Sequence, residues 1–158
     1  MEPPSRSSGP TVSGSCFCRR VRFEVSLPTL FCAHCHCSMC RRSHGAGFVT
    51  WFAVPRGQFK LITGDDSLIR HRSSDHGTRS FCGVCGSSLF CESTKHSDRI
   101  DIVLANMEAP IDRDPQMHVY FTDRARWVTV SDPLPRLGGA TGLEPLEDRD
   151  VATRDLDA

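Results

Sequence analysis

The chain has 158 residues, enough for one domain with a buried core of its own. Its 19 basic and 19 acidic residues cancel to a formal net charge of +0, so no overall field draws it to nucleic acid or to an anionic membrane. The most apolar stretch, Phe48–Val54, is too short to span a bilayer and is broken by Thr50, and the Pro/Ser/Gly-rich start has no signal-peptide core, so the expected location is the cytoplasm.

Residues 1–12 read as a disordered leader, 13–137 as a zinc-binding domain, and 138–158 as an acidic disordered tail with few large apolar residues to bury. Within the domain, Val21, Phe23 and Val25 alternate with Arg20, Arg22 and Glu24, which is the pattern of a half-buried strand. Further strands are expected over Phe48–Val54, Phe59–Ile62, Ser67–Arg72, Ser88–Glu92, Ile100–Leu104, Met117–Phe121 and Trp127–Val130, with Pro55, Gly57 and Gly64 as punctuation. Met39–His44 fits one short helical turn, and no fixed-period repeat appears. The expected fold class is mainly β, a single domain of short strands with zinc-bearing loops.

Nine cysteines dominate the chemistry. In a reducing compartment clustered cysteines point to metal or catalysis before disulfides, and an odd count fits a disulfide framework poorly. Cys16 and Cys18 form C-x-C, and Cys82 and Cys85 form C-x-x-C followed by Gly86. Two residues between thiolates let both sulfurs reach one ion at about 2.3 Å. Gly83 and Gly86 suit the left-handed backbone of such a turn and can aim amides at sulfur. The two distant pairs together make a closed tetrahedral zinc site that contributes folding free energy. A redox C-x-x-C usually opens a helix after a strand, whereas here strand-like residues follow.

Residues 32–40 read Cys-Ala-His-Cys-His-Cys-Ser-Met-Cys, the densest ligand cluster of the chain. Cys35, Cys37 and Cys40 can wrap one zinc from a single loop and leave a fourth position open, which suits a substrate thiol that binds as thiolate. Spacing equally allows Cys32 to close that position, and His34 and His36 are further candidate ligands. Arg41 and Arg42 follow directly and can offset thiolate charge or hold a carboxylate. Cys91 reads as a buried small hydrophobe. His44 can border the cluster, His71, His76 and His96 read as surface residues, and Phe48, Trp51 and Phe52 read as core.

The order Gly14-Ser15-Cys16-x-Cys18, Cys35-His36-Cys37-x-x-Cys40-Arg41 and Arg79-x-Phe81-Cys82-x-x-Cys85-Gly86 resembles the glutathione-dependent formaldehyde-activating enzymes, a superfamily that also includes relatives of centromere protein V. Gly64, Pro115-x-x-His118, Trp127 and Asp132-x-Leu134-Pro135 extend the match over about residues 13–137. The resemblance implies stacked antiparallel sheets. It implies two zinc ions, one structural at Cys16, Cys18, Cys82 and Cys85 and one of catalytic type at Cys35, Cys37 and Cys40. It also implies a carbon–sulfur lyase that adds the glutathione thiol to formaldehyde, giving S-hydroxymethylglutathione, with Arg41 or His118 to orient or protonate the developing alkoxide. The alternative function is a zinc-stabilised binding module without chemistry. A nucleic-acid partner is not expected, because no basic stripe is interleaved with aromatics.

Overall fold

The computed structural model describes residues 9–147. The first eight residues of the expected leader and residues 148–158 of the expected tail lie outside them. The strands are β1 (Thr11–Ser15), β2 (Arg22–Ser26), β3 (Phe31–Cys35), β4 (Val49–Pro55), β5 (Phe59–Thr63), β6 (Leu68–Arg72), β7 (Gly77–Cys82), β8 (Ser88–Ser93), β9 (Arg99–Val103), β10 (His118–Val119), β11 (Leu137–Gly138) and β12 (Glu144–Pro145), with one helix, α1 (Ser38–His44). The fold is mainly β, as its alternating apolar residues imply. Two compact units divide the described residues: 9–30 with 52–113, and 31–51 with 114–147.

In the first unit β1, β2 and β5 form an antiparallel sheet in the order β1-β2-β5, and β9-β8-β7-β6 form an antiparallel run. The alternation in β2 turns Phe23 and Val25 inward, both essentially inaccessible. Phe23 meets Phe90 of β8 edge-on at 5.0 Å, and Phe59 of β5 meets Phe90 at 5.0 Å, so the two sheets stack through these rings. Each such buried aromatic contributes on the order of 2–3 kcal/mol. A second fastening lies at the rim, where the Asp112 carboxylate accepts from the Thr29 amide and hydroxyl and Arg113 donates to the Thr29 and Leu30 carbonyls.

In the second unit β10 runs parallel to β3, pairing His118 with His34 and Val119 with Cys35. Helix α1 starts from Cys37 and ends at Gly45, whose left-handed backbone lets its amide close on the Arg41 carbonyl. Phe121, fully buried, is the centre of this unit, flanked by the His36 and His118 rings and by the Arg124 and Arg136 guanidinium groups. The strand expected over Trp127–Val130 does not form: these residues lie outside all strands and Trp127 is 75% exposed, its indole lying over Gly47. Trp and Val favour strands only where a partner strand covers them. The strand expected over Met117–Phe121 shrinks to two residues, because Tyr120 turns left-handed (φ 53°) and starts a 3₁₀ turn.

Candidate metal centres

The first centre belongs to the first unit. Cys16 and Cys18 follow β1, and Cys82 and Cys85 follow from the end of β7, so two hairpin ends face each other. Their four sulfurs all lie within 4.8 Å of one another, with Cys16 to Cys18 at 3.6 Å and Cys18 to Cys82 at 3.8 Å. Zinc–sulfur bonds of about 2.3 Å in a tetrahedron require sulfur–sulfur edges of about 3.8 Å. A disulfide would need about 2.05 Å, and none of the nine cysteines forms one. The donor set and its spacing therefore fit a tetrahedral thiolate-bound metal. Cys16 and Cys82 are buried, and the Val21 amide donates to the Cys16 sulfur at 3.3 Å. The glycines act differently from the expectation. Gly86 is left-handed (φ 78°), but its amide returns to the Cys82 carbonyl, and the Gly83 amide goes to the Ser67 carbonyl. They shape the turn, while Val21 bonds the Cys16 sulfur and the Ser87 hydroxyl lies 3.3 Å from the Cys85 sulfur.

The second cluster lies in the second unit, at the join of β3 and α1. Cys35 ends the strand, Cys37 sits at the helix N-cap and Cys40 is in the first turn. The Cys35 and Cys40 sulfurs are 3.7 Å apart, again one tetrahedral edge. Hydrogen bonds from the Cys35 and Cys40 thiols, joined by the Cys40 and Met39 amides, pull Cys37 down to about 2, while hydrogen bonding to Cys37 and Cys40, and burial, push Cys35 up. The neighbouring thiols thus favour the thiolate at Cys37, the form that binds a metal ion. Among the described residues the first centre is the only group of three or more such ligands within 4.8 Å of one another, so the second trio is the looser.

Alternation along β3 decides where the remaining candidates point. Within β3, Cys32 and His34 share one face and Cys35 lies on the other. Cys32 is three residues from Cys35, about 10 Å along the strand, and faces away, so the spacing that allowed it as a fourth ligand is overruled by the strand. The His34 and His36 rings likewise turn from the thiols. His34 Nδ1 meets the Thr50 hydroxyl at 2.8 Å, and His36 Nε2 meets His118 Nδ1 at 2.9 Å. His118 Nε2 in turn meets both Asp132 oxygens at 3.0 Å. His118 is 1% exposed with both ring nitrogens engaged, so it braces β10 against β3. Burial, then the neighbouring His118, His34, Arg124 and Arg41 charges, lower His36 to about 4.

Arg41 donates from Nε to the His36 carbonyl (3.1 Å) and from Nη2 to the Asp123 carbonyl (2.9 Å), clasping α1 to the turn after β10. Both of its Nη1 donors and one on Nη2 lie outside these bonds. His44 packs edge-on against Trp51, and Phe48 against His34 and His36. Cys91 is half-buried rather than buried, between Arg79 and Asp101 in the strand register. His71, His76 and His96 are exposed, as expected.

One residue beside the second cluster carried no sequence signal. Tyr120, the only tyrosine of the chain, directly follows Val119, the cross-strand partner of Cys35. Its amide donates to the Gly142 carbonyl (2.8 Å), and a Cβ on Gly142 would overlap its ring. Burial, then the charges of Cys35, Cys37, Cys40 and Asp123, raise its phenol above the ordinary value, so it stays protonated at neutral pH.

The model of the family described as glutathione-dependent formaldehyde-activating enzyme matches residues 11–123. A Halomonas elongata protein, provisionally described as a glutathione-dependent formaldehyde-activating enzyme, is 26% identical over 136 residues, covering 75% of this chain and 80% of its own. An uncharacterized lyase of Schizosaccharomyces pombe is 26% identical over 83 residues, covering 51% of this chain and 57% of its own. A crystal structure of a Rhodobacter sphaeroides protein, 23% identical, superimposes with a TM-score of 0.55 over 65% of this chain and 93% of that one, a likeness of fold.

Proposed function

The chain belongs to the glutathione-dependent formaldehyde-activating enzyme family, and from that premise we propose that it is a zinc-dependent carbon–sulfur lyase-type enzyme acting on S-hydroxymethylglutathione or a similar thiol–aldehyde adduct. In this reading Cys16, Cys18, Cys82 and Cys85 hold a structural zinc, and Cys35, Cys37 and Cys40 hold a second zinc with one position free. The observation that carries it is the placement of three thiols, not four, around the N-terminus of α1, with Cys32 on the opposite face of β3.

A zinc ion at the second cluster supplies a Lewis-acidic position that favours a substrate thiol as thiolate. The chain does the rest. The join of β3 and α1 holds the three ligand residues together, with the Cys35 and Cys40 sulfurs one tetrahedral edge apart. Arg41 fixes the turns on either side and turns its Nη1 donors to a substrate carboxylate, the group that a peptide thiol such as glutathione carries. His118, held between His36 and Asp132, is a positioning residue that keeps β10 in register with Cys35.

The test is the rate of adduct formation from glutathione and formaldehyde, followed by NMR against the spontaneous rate. The expected result is acceleration by the zinc-loaded protein and none by Cys37→Ser. No acceleration by the intact protein contradicts the reading and favours the zinc-stabilised binding module. Among the described residues no helix is long and apolar enough to cross a membrane.

A further inference from the structure

The proposed reaction makes an oxyanion, and a site that accelerates it needs a donor at that oxygen. The thiolate sulfur forms a bond to the aldehyde carbon, the carbon–oxygen π pair moves to oxygen, and the proton released by the thiol returns to that oxygen through solvent. Of the two residues that the sequence offered as donors, one is fully bonded and the other is assigned to the substrate carboxylate. His118 is buried with both ring nitrogens bonded, and Arg41 spends Nε and Nη2 on backbone carbonyls.

Tyr120 is differently placed. It is half-buried, and no hydrogen bond among the described residues occupies its hydroxyl. Two anchors bring its turn to the thiols: the pairing of Val119 with Cys35, and the Arg41 clasp on Asp123, whose own amide returns to the Tyr120 carbonyl. Its backbone is held left-handed at φ 53°, a conformation a non-glycine residue keeps only where its surroundings impose it. The ring lies where Gly142 offers no Cβ. A half-buried tyrosine on the turn next to the Cys35 strand, its hydroxyl without a hydrogen bond among the described residues, is more than packing requires.

We propose that Tyr120 is a catalytic residue whose hydroxyl donates a hydrogen bond to the aldehyde-derived oxygen of the substrate held at Cys35, Cys37 and Cys40. This rests on the thiol–aldehyde reading above and assigns the donor in it.

The experiment uses the sole tyrosine twice. Tyr120→Phe keeps the ring over Gly142 and removes only the hydroxyl. Its turnover should fall about 10²–10³-fold, the usual cost of one oxyanion donor, with KM, zinc content and melting temperature unchanged. Full turnover in this variant overturns the proposal. Uniform 3-fluorotyrosine labelling gives a single ¹⁹F resonance that reports on Tyr120 without turnover. Adding preformed S-hydroxymethylglutathione should move that resonance further than glutathione alone. An unmoved resonance also overturns the assignment. A wild-type protein without acceleration contradicts the proposed function itself; an adduct-specific ¹⁹F shift in that protein would still support Tyr120 as the donor to the adduct oxygen.

Discussion

Replacing Cys82 by serine tests how the first centre stabilises the fold. Cys18 and Cys82 are 64 residues apart in sequence and 3.8 Å apart at sulfur. A cross-link closing a span of that length removes about 4 kcal/mol of chain entropy from the denatured state. Direct zinc–thiolate bonding adds to this, so the figure is a lower bound. Single domains are stable by about 5–15 kcal/mol in total, so the loss is a large fraction of the whole. At about 2–4 °C per kcal/mol for a chain of this size, the melting temperature should fall by at least about 8 °C. The assay is thermal unfolding by circular dichroism with zinc content measured on the same samples, and wild type stripped by chelator as the control. Cys82 is fully buried, so the variant also leaves a polar hydroxyl where sulfur packed. A Cys82→Ser protein that melts within about 2 °C of wild type would refute the reasoning, and so would a wild type indifferent to chelator.

Cys37→Ser should lose the second zinc and retain most of the melting temperature, because Cys35, Cys37 and Cys40 are near neighbours in sequence and close almost no loop; a collapse as deep as that of Cys82→Ser would make the second centre structural. Cys32→Ala should leave the zinc content unchanged, because Cys32 lies on the opposite face of β3; loss of one zinc in that variant contradicts the strand argument. Partial burial pushes the Asp112 carboxyl up, but the Thr29 hydroxyl and amide and the Arg113 charge outweigh it and hold it below the ordinary range. A depressed carboxylate stabilises the fold above its unfolded value of about 3.9 and loses that contribution as pH falls through the folded value. Asp112→Asn should therefore cost stability at pH 7 and narrow its difference from wild type below about pH 4, measured as melting temperature against pH; a constant difference would exclude ionisation as the cause.

What the sequence made legible follows physical range. The β2 alternation of Phe23 and Val25 is local and survives into the structure. The four-cysteine centre was readable because ligand spacing within each pair sets reach to one ion, and the pairing of the pairs leaves few choices. Strand β3 was missed because its residues do not alternate between polar and apolar: Cys32 and Ala33 are both buried, on opposite faces, and His34 looks polar yet packs against Phe48. Its loss hid the face on which Cys32 lies. Strand β1 carries a single apolar side chain, Val12, and β7 is interrupted by Arg79 and Ser80. The His36–His118–Asp132 chain joins residues 82 and 14 positions apart, and no local pattern encodes such contacts. Tyr120 was silent for the same reason: its meaning comes from the strand beside it and from the glycine beneath it.

The central claim is that one zinc site is closed by four thiolates and the other is open to a substrate thiol. Cadmium substitution followed by ¹¹³Cd NMR reads each site separately, since every added thiolate shifts the resonance downfield. The account predicts two resonances, one at the four-thiolate position and one upfield of it. Glutathione should move only the second, to the four-thiolate position, and Cys37→Ser should abolish it. A single resonance, or two that both start at the four-thiolate position and ignore glutathione, would contradict the account.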